Sequence, residues 1–386
     1  MSNSYRFGNP REGDIAHRKI AVLHLGKLGA GPSIALEQAR ALSRRGHDVS
    51  VIHSANAEIA PKILESEIPS FSIPTYNSPA GVLFFSWRAI VLGIRLRRMA
   101  SRGELDCVVA SMGNPWQPIV AAILARSRAR YLASIHDAVR HAGDSGKLKS
   151  AASRLEPLFA DGIVCYSVDQ AQSVLGSRWL GARKLLVTKL GSHFSDVAGR
   201  FKSAPQGPIV VGVIGRIESY KNIPTGVAAV SILRRRGLDV KLEVHGMGPV
   251  PLMNELSEKR GPFVEMNFGW ISDRDLPELV NRMDVVLLPY GEGTQSGVVE
   301  LAAQMGTPVV ATPVGGIRSQ VEESRAGILS EGCSAEDIAD ALERMLSDSD
   351  LYEECSRAGL DLNADNLNGW GSFVERIELF LGSDDE

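Results

Sequence analysis

Residues 285–311 constrain this chain more than any other stretch. Val285 to Leu288 is a short, β-branched apolar run of the kind a buried parallel strand needs, and Pro289 closes it. Gly291 and Gly293 open a flexible loop. Val298, Val299, Leu301, Ala302 and Met305 then recur at helical spacing, Gly306 stops the helix, and Pro308 to Ala311 reads as strand again. Strand, loop, helix and strand in this order make a βαβ unit, so the chain must build a parallel sheet.

A helix that starts directly after a flexible loop turns unpaired amides, here those of Ser296, Gly297 and Val298, toward the crevice at the strand ends, where they suit an anion. Glu292 and Glu300 flank those amides with seven residues between them. Carboxylates do not bind phosphate, but they accept hydrogen bonds from hydroxyls. Two of them around an anion site suit a ligand with sugar on both sides of a diphosphate, which is a nucleotide-sugar. The plain reading of the same stretch is an ordinary crossover whose first-turn Glu is favoured by the helix dipole. Glu, seven residues, Glu, then Gly306-Thr-Pro-Val-Val-Ala-Thr312 and Val314-Gly-Gly316 resembles the signature of the retaining GT-B glycosyltransferases called group 1, or glycosyltransferase family 4. The resemblance implies that Glu292 contacts the donor sugar and Glu300 holds the ribose hydroxyls. Thr294 and Gln295, in the same donor-binding loop, stand where the family more commonly has Phe-Gly.

At 386 residues the chain has room for two domains with separate cores, and 44% hydrophobic with 23% charged residues is the balance of an ordinary globular protein. Cys107, Cys165, Cys333 and Cys355 are scattered without a Cys-x-x-Cys spacing, which fits a reduced compartment. The first eighteen residues lack the apolar core of a signal peptide, and the most apolar window, Val82 to Leu96, is interrupted by Arg88 and Arg95. A cytoplasmic protein is expected, with a peripheral place on the inner face of the plasma membrane allowed. Residues 1–197 carry 25 Lys and Arg against 15 Asp and Glu, and the remainder 17 against 30. A basic half beside an acidic half suggests that one domain meets an anionic partner or membrane surface. Nothing points to nucleic acid.

From the start, Lys19 to Leu25 reads as strand, Gly26 to Pro32 as a glycine-rich turn, Ser33 to Arg45 as a helix with Ser33 as its cap, and Val49 to His53 as strand. Gly26, Gly29 and Gly31 raise a dinucleotide-binding alternative. The acidic residue that would hold an adenosine ribose is absent from the second strand's end, where His53, Ser54 and Asn56 stand, so NAD is discounted. The resemblance instead places Gly29 at the mouth of a cleft, near donor and acceptor. Val82 to Arg102 reads as one helix carrying Phe84, Phe85, Trp87, Ile90, Val91 and Ile94 among five arginines. Such a helix rests on an anionic membrane surface or packs on the core with its arginines in solvent.

Asp106 to Ser111 is the next strand, Ala121 to Arg130 a helix, and Arg130 to Ile135 a strand ending at His136 and Asp137. Ligands of open parallel sheets sit outside the carboxyl ends of the strands, so the pair is placed to face the cleft, although a histidine there is as readily structural. The resemblance implies that His136 reaches the donor sugar. The basic loop that follows offers His141, Lys147 and Lys149, with Asp137, as a grip for an anionic acceptor such as a lipid-linked pyrophosphate; a solvent loop is the equal alternative. Its Gly-Asp-Ser-Gly tetrapeptide echoes serine proteases, whose barrel nothing else here suggests.

Asp161 to Ser167 reads as the last strand of the first domain and Arg200 to Pro208 as the linker. Ile209 to Ile214 then opens a second domain, and Gly215, Arg216 and Lys221 match the family's diphosphate clamp. Breaking a sugar–phosphate bond leaves negative charge on the departing diphosphate, which fixed cations and amides stabilise. The plain alternative is a surface Arg and Lys beside a turn. Val240 to His245 with Gly246, and Phe263 to Phe268 with Trp270 and Ile271, are two further strands with loops; by resemblance the last receives the nucleotide base. Asp273-Arg274-Asp275 looks like an Asp-x-Asp metal motif but is expected to cap a helix from Asp275 to Arg282. No His or Cys cluster has metal-ligand spacing, so no metal and no cofactor are expected.

These readings converge on an α/β chain of GT-B class, two Rossmann-like domains facing each other across a deep cleft. Residues 1–199 would bind acceptor, residues 200–365 the nucleotide-sugar donor, and residues 366–386 would form a helix crossing back to the first domain. The implied activity is retaining transfer of a sugar to a lipid-linked or polysaccharide acceptor in bacterial glycan biosynthesis. His136, Arg216, Lys221 and Glu292 would be catalytic. A nucleotide-sugar epimerase and a non-catalytic nucleotide-sugar-binding subunit are the alternatives.

Overall fold

The computed structural model describes residues 17–135, 154–175, 184–192, 194, 197–259, 261–293, 296–362 and 369–382. Two all-parallel sheets account for the core. The first has the order β3 (Ser70–Ile73), β2 (Asp48–Ser54), β1 (Lys19–His24), β4 (Cys107–Ala110), β5 (Arg130–Ile135), β6 (Gly162–Cys165), β7 (Lys184–Val187). The second has the order β10 (Val264–Phe268), β9 (Val240–Gly246), β8 (Ile209–Ile214), β11 (Val285–Leu288), β12 (Val309–Ala311), β13 (Gly327–Leu329).

Each sheet grows outward from its first strand and then reverses direction. The reversal lies between β1 and β4, where Ile20 to Leu23 pair with Cys107 to Ala110, and between β8 and β11, where Val211 and Gly212 pair with Val285 and Val286. Connections leave opposite faces at such a point, so a crevice opens there and ligands of doubly wound sheets bind in it. Central strands such as β11, buried at every residue, read as continuous apolar runs because helices cover both of their faces.

The structure moves several expected boundaries. The helix after β1 runs Ala30–Arg44, starting from Gly29 (φ 81°) rather than from Ser33, whose hydroxyl is engaged elsewhere. The stretch expected as one helix from Val82 to Arg102 is two, Pro79–Phe84 and Trp87–Ser101. The break falls at Phe85 and Ser86, where Ser86 turns its hydroxyl back to the Leu83 carbonyl at 2.7 Å. The helix expected from Ala121 is Gln117–Leu124. β6 is not the last strand of the first sheet, because β7 pairs beyond it from Gly162–Lys184 to Cys165–Val187. The final helix, Gly371–Gly382, belongs by its packing to the first sheet, where Phe373, Val374 and Ile377 share a core with Ile20, Val22 and Leu36. Among the described residues no helix is long and apolar enough to cross a membrane.

Candidate functional site

β8 ends at Ile214, and Gly215 (φ 105°) turns the chain over the sheet while its N–H donates to the His245 carbonyl at 3.0 Å. The neighbouring loop follows the same course. Gly246 (φ 151°) accepts from Gly269 N–H at 2.9 Å, and a Cβ on Gly246 would land inside the Gly215 carbonyl oxygen. The loops after β8, β9 and β10 are thus pressed backbone to backbone, bringing Gly215, Gly246 and the base of Trp270 into one layer.

Beneath that layer lies a buried cation. Lys221, in the 3₁₀ turn Ser219–Lys221, sends its Nζ to the Ile214 carbonyl at 3.0 Å and stands 5.1 Å from the centre of the Tyr290 ring. A Cβ on Gly215 would come within 2.8 Å of that Nζ and 3.8 Å of Val298 Cγ2, so the ammonium and the start of the helix after β11 meet under one glycine. Arg216, the next residue, is exposed at the crevice. The Gly291 N–H donates to the Tyr220 carbonyl at 2.7 Å, tying the β11 loop to the same turn.

The helix after β11 is Gly297–Gln304, capped by Ser296, whose hydroxyl accepts from Val298 N–H at 3.3 Å. Gln320, on the helix Gly315–Ser324, braces this end. Its Oε1 accepts from Ser296 N–H at 2.8 Å, and its Nε2 donates to the Ser296 carbonyl at 3.4 Å and to Glu300 Oε1 at 3.3 Å. Of the three amides expected to meet an anion, two are therefore engaged locally, and an arriving anion would share or replace those bonds. Burial pushes the Glu300 carboxyl up to about 7, with the Gln320 amide pulling it back. Glu292 is exposed on the loop before it. Gln320 escaped sequence reasoning, yet it left a signal: it sits between Ile317 and Val321 on the buried face of its helix, where an amide needs a polar partner.

The first sheet faces this layer with its own turn. His24 closes β1, and its ring packs against both Gly26 and Gly31, leaving no room for a side chain at either. Gly29 stands at the amino end of the helix that follows. Ser33 hydrogen-bonds through its hydroxyl to Asp273, and Trp270 Nε1 donates to Glu58 Oε1 at 3.3 Å, so the two domains touch along one rim of the crevice. Burial raises the Asp273 carboxyl, an effect the Ser33 hydroxyl offsets. This corrects the expected role of Asp273 to Asp275. Asp275 precedes a shorter helix, Leu276–Asn281, and accepts from the Ser272 hydroxyl at 2.7 Å instead of capping the helix amides. Ser33, Glu58 and Asp273 were not legible as a group, because their meeting depends on how the domains are set together.

Ile271 is half-buried beside Trp270. His136, Asp137, His141, Lys147, Lys149, Thr294 and Gln295 lie outside the described residues. Among the described residues no group of three or more His, Cys, Asp or Glu could hold a metal ion.

Two family models match the chain: a glycosyl transferase 4-like domain over residues 29–190 and glycosyl transferases group 1 over residues 208–348. Alpha-D-kanosaminyltransferase of Streptomyces kanamyceticus is 31% identical over 160 residues, 41% of each chain. A D-inositol 3-phosphate glycosyltransferase of Corynebacterium aurimucosum is 32% identical over 210 residues, 51% of this chain and 48% of that one. The chain therefore matches about half or less of the length of these curated relatives. In structure it resembles Anabaena Alr3699/HepE, solved in complex with UDP-glucose, with a TM-score of 0.66 at 18% identity, covering 95% of this chain and 99% of that one. At that identity the likeness speaks for the fold, which is GT-B.

Proposed function

We propose that this chain, which belongs to the group 1 glycosyltransferases, transfers a sugar from a nucleotide-diphosphate sugar to an acceptor hydroxyl with retention of configuration. The observation that carries the reading is the layer over β8 and β11: Lys221 buried beneath Gly215, Arg216 beside it, and Glu300 buried behind the capped helix end at Ser296.

In this reading the diphosphate lies over Gly215, met by Arg216, by Lys221 from below and by amides at Ser296 to Val298. Glu300 accepts from the ribose hydroxyls, Glu292 orients the sugar, and Trp270 and Ile271 border the base beside Gly246. Gly29 and His136 complete the reacting face from the first domain, with Thr294 and Gln295 beside the sugar. As the sugar–phosphate bond lengthens, charge gathers on the diphosphate, where fixed cations need no reorganisation to stabilise it. The departing phosphate takes the acceptor's proton on the face where the acceptor attacks, and the chemistry calls for no metal. The acceptor is a lipid-linked or polysaccharide glycan held in part by Asp137, His141, Lys147 and Lys149, and the protein works at the cytoplasmic face of a bacterial membrane.

The membrane reading has a surface to support it. Along Pro79–Phe84 and Trp87–Ser101, Ala89, Leu92, Leu96 and Ala100 face the core, while Leu83, Phe84, Trp87 and Val91 are more than half exposed, at 74, 77, 54 and 56%. Arg88 and Arg98 border them. An apolar face edged by arginines suits the boundary of an anionic bilayer. Reversing the charge at Arg88 and Arg98 should release the protein from phosphatidylglycerol vesicles in a sedimentation assay, and unchanged binding would refute the patch.

The donor site is tested by thermal shift of the purified protein with UDP, GDP, ADP and dTDP and their common sugars, repeated with Arg216→Ala. A ligand that binds only the folded protein at a hundredfold excess over its dissociation constant adds about 2.7 kcal/mol of stability. A shift with one nucleotide family, abolished in the variant, is expected; no shift with any of them would remove the donor reading.

A further inference from the structure

The stretch expected as the linker, Arg200 to Pro208, already packs on the second domain, where Lys202 Nζ donates to the Met283 carbonyl at 2.6 Å; the passage comes earlier, with Ser192 belonging to the first domain and Phe194 to the second. On the near side, Thr188 N–H still donates to the Cys165 carbonyl at 2.9 Å, and the Ser192 carbonyl accepts from Trp370 Nε1 at 2.7 Å. Trp370 is fully buried in the first domain's core beside Phe373. On the far side, Phe194 is buried in the second domain's core with Val280, Leu288 and Tyr290.

One side chain spans this boundary. Gln304 accepts through Oε1 from the Ser192 hydroxyl, and its Nε2 donates to the Phe194 carbonyl at 2.6 Å and the Val197 carbonyl at 2.9 Å. It is only 6% exposed, and a buried amide is stable only when its donors and acceptor are all matched, as these are. Gln304 is also the last residue of the helix Gly297–Gln304, with Glu300 one turn before it and Ser296 at the other end. A helix this short is stiff, so a displacement at one end is felt at the other.

We propose that Gln304 is a positioning residue that fixes the hinge between the domains to the helix of the donor site, so that closure of the first domain is set relative to Glu300 and Ser296. The proposal rests on the reading of that helix as the donor site's. The far rim of the crevice reports the pose, since Ser33 meets Asp273 only when the domains are set as here.

The test uses the full chain with Cys333→Ser, which removes the exposed thiol; Cys107, Cys165 and Cys355 are buried. Ser33→Cys with Asp273→Cys then supplies a reporter pair at the two positions whose side chains meet across the rim. Oxidation of that pair should slow about tenfold when Gln304→Leu or Ser192→Ala loosens the hinge, the scale on which a lost set of buried hydrogen bonds shifts a two-state equilibrium. Ser192→Thr, which keeps the hydroxyl, should oxidise at close to the parent rate. Nucleotide affinity, measured without the reporter pair, should weaken by about threefold in both loosened variants, because a freed end at Gln304 lets Ser296 and Glu300 shift at the other end of the helix, yet stay well short of the loss in Arg216→Ala.

Equal oxidation rates in parent and variants would overturn the proposal. So would a loss of nucleotide binding matching that of Arg216→Ala, which would make Gln304 part of the binding site itself. If Gln304→Leu fails to fold, the oxidation rate of Ser192→Ala alone decides between the two outcomes. A parent protein that binds no nucleotide would remove the donor reading and with it the coupling to a donor site, while the oxidation rates would still test the hinge.

Discussion

After β1, Gly26 and Gly31 close on the ring of His24; after β8, Gly215 and Gly246 close on each other's backbone. Both turns follow the first strand of a parallel sheet, and both lie where the strand order reverses. In the first, glycine makes room for the chain's own imidazole, and the space a ligand would need is filled from within. In the second, side chains are excluded so that three loops can stack, and a buried ammonium lies under them. Glycines after a strand therefore mark close approach, but they do not say what approaches. The absence of an acidic residue at the end of β2 is what separated the first turn from a nucleotide site, and Lys221 with Glu300 is what recommends the second.

The stacked loops tolerate substitution least at Gly246. Gly246→Ala puts a methyl group into the Gly215 carbonyl at a φ of 151°, which no rotamer can relieve. It should cost about 3 kcal/mol or more in urea unfolding. Gly29→Ala, with open space around it but a backbone at φ 81° and ψ −171° that favours glycine, should cost less, about 2 kcal/mol. Equal losses would mean that stacking of loops is not what Gly246 serves.

Next in size is the pH response of the second site. The Glu300 carboxyl is raised in the folded protein to about 7, so its contribution to stability is complete below about pH 4.5 and lost as pH rises through about 7. The folded state holds this proton more tightly than the unfolded chain does. Glu300→Gln should therefore remove about 3 kcal/mol of stability loss between pH 4.5 and 8, read as the difference between two unfolding series. An unchanged pH profile would show that Glu300 is already ionised when folded.

The first turn gives the smaller effect. Gly26→Ala meets only the end of a side chain, so it should cost about 2 kcal/mol, and His24→Ala should relieve most of that in the double variant. Additive losses would remove the imidazole from the account.

The pattern of apolar runs was enough to foresee two parallel sheets, since β1, β8, β9 and β11 are buried on both faces and show it in composition. β3, β7 and β13 are short and half-buried at the sheet edges, so their residues carry little of that pattern. Gly215, Lys221, Ser296 and Glu300 were legible because each follows a strand or starts a helix at fixed spacing. Gln320, Ser33, Glu58 and Asp273 were not, because what joins them is tertiary: one helix laid against another, or one domain against the other. Gln304 looked like any residue at the end of an apolar helix, and only the passage of Ser192, Phe194 and Val197 beside it gives it three partners.

The helix Gly371–Gly382 places part of the first domain's core at the far end of the chain. Trp370, Phe373, Val374, Ile377, Phe380 and Leu381 are buried with residues that begin at Ile20. Domains usually complete their folding in the order in which they leave the ribosome. Here the earlier domain must wait with the part of its core that Trp370 to Leu381 fill left open until the whole of the later one has been made. A chain cut short before Trp370 would keep every strand of both sheets and lose the helix that closes the first domain's core, so the domain made first is the last to be sealed.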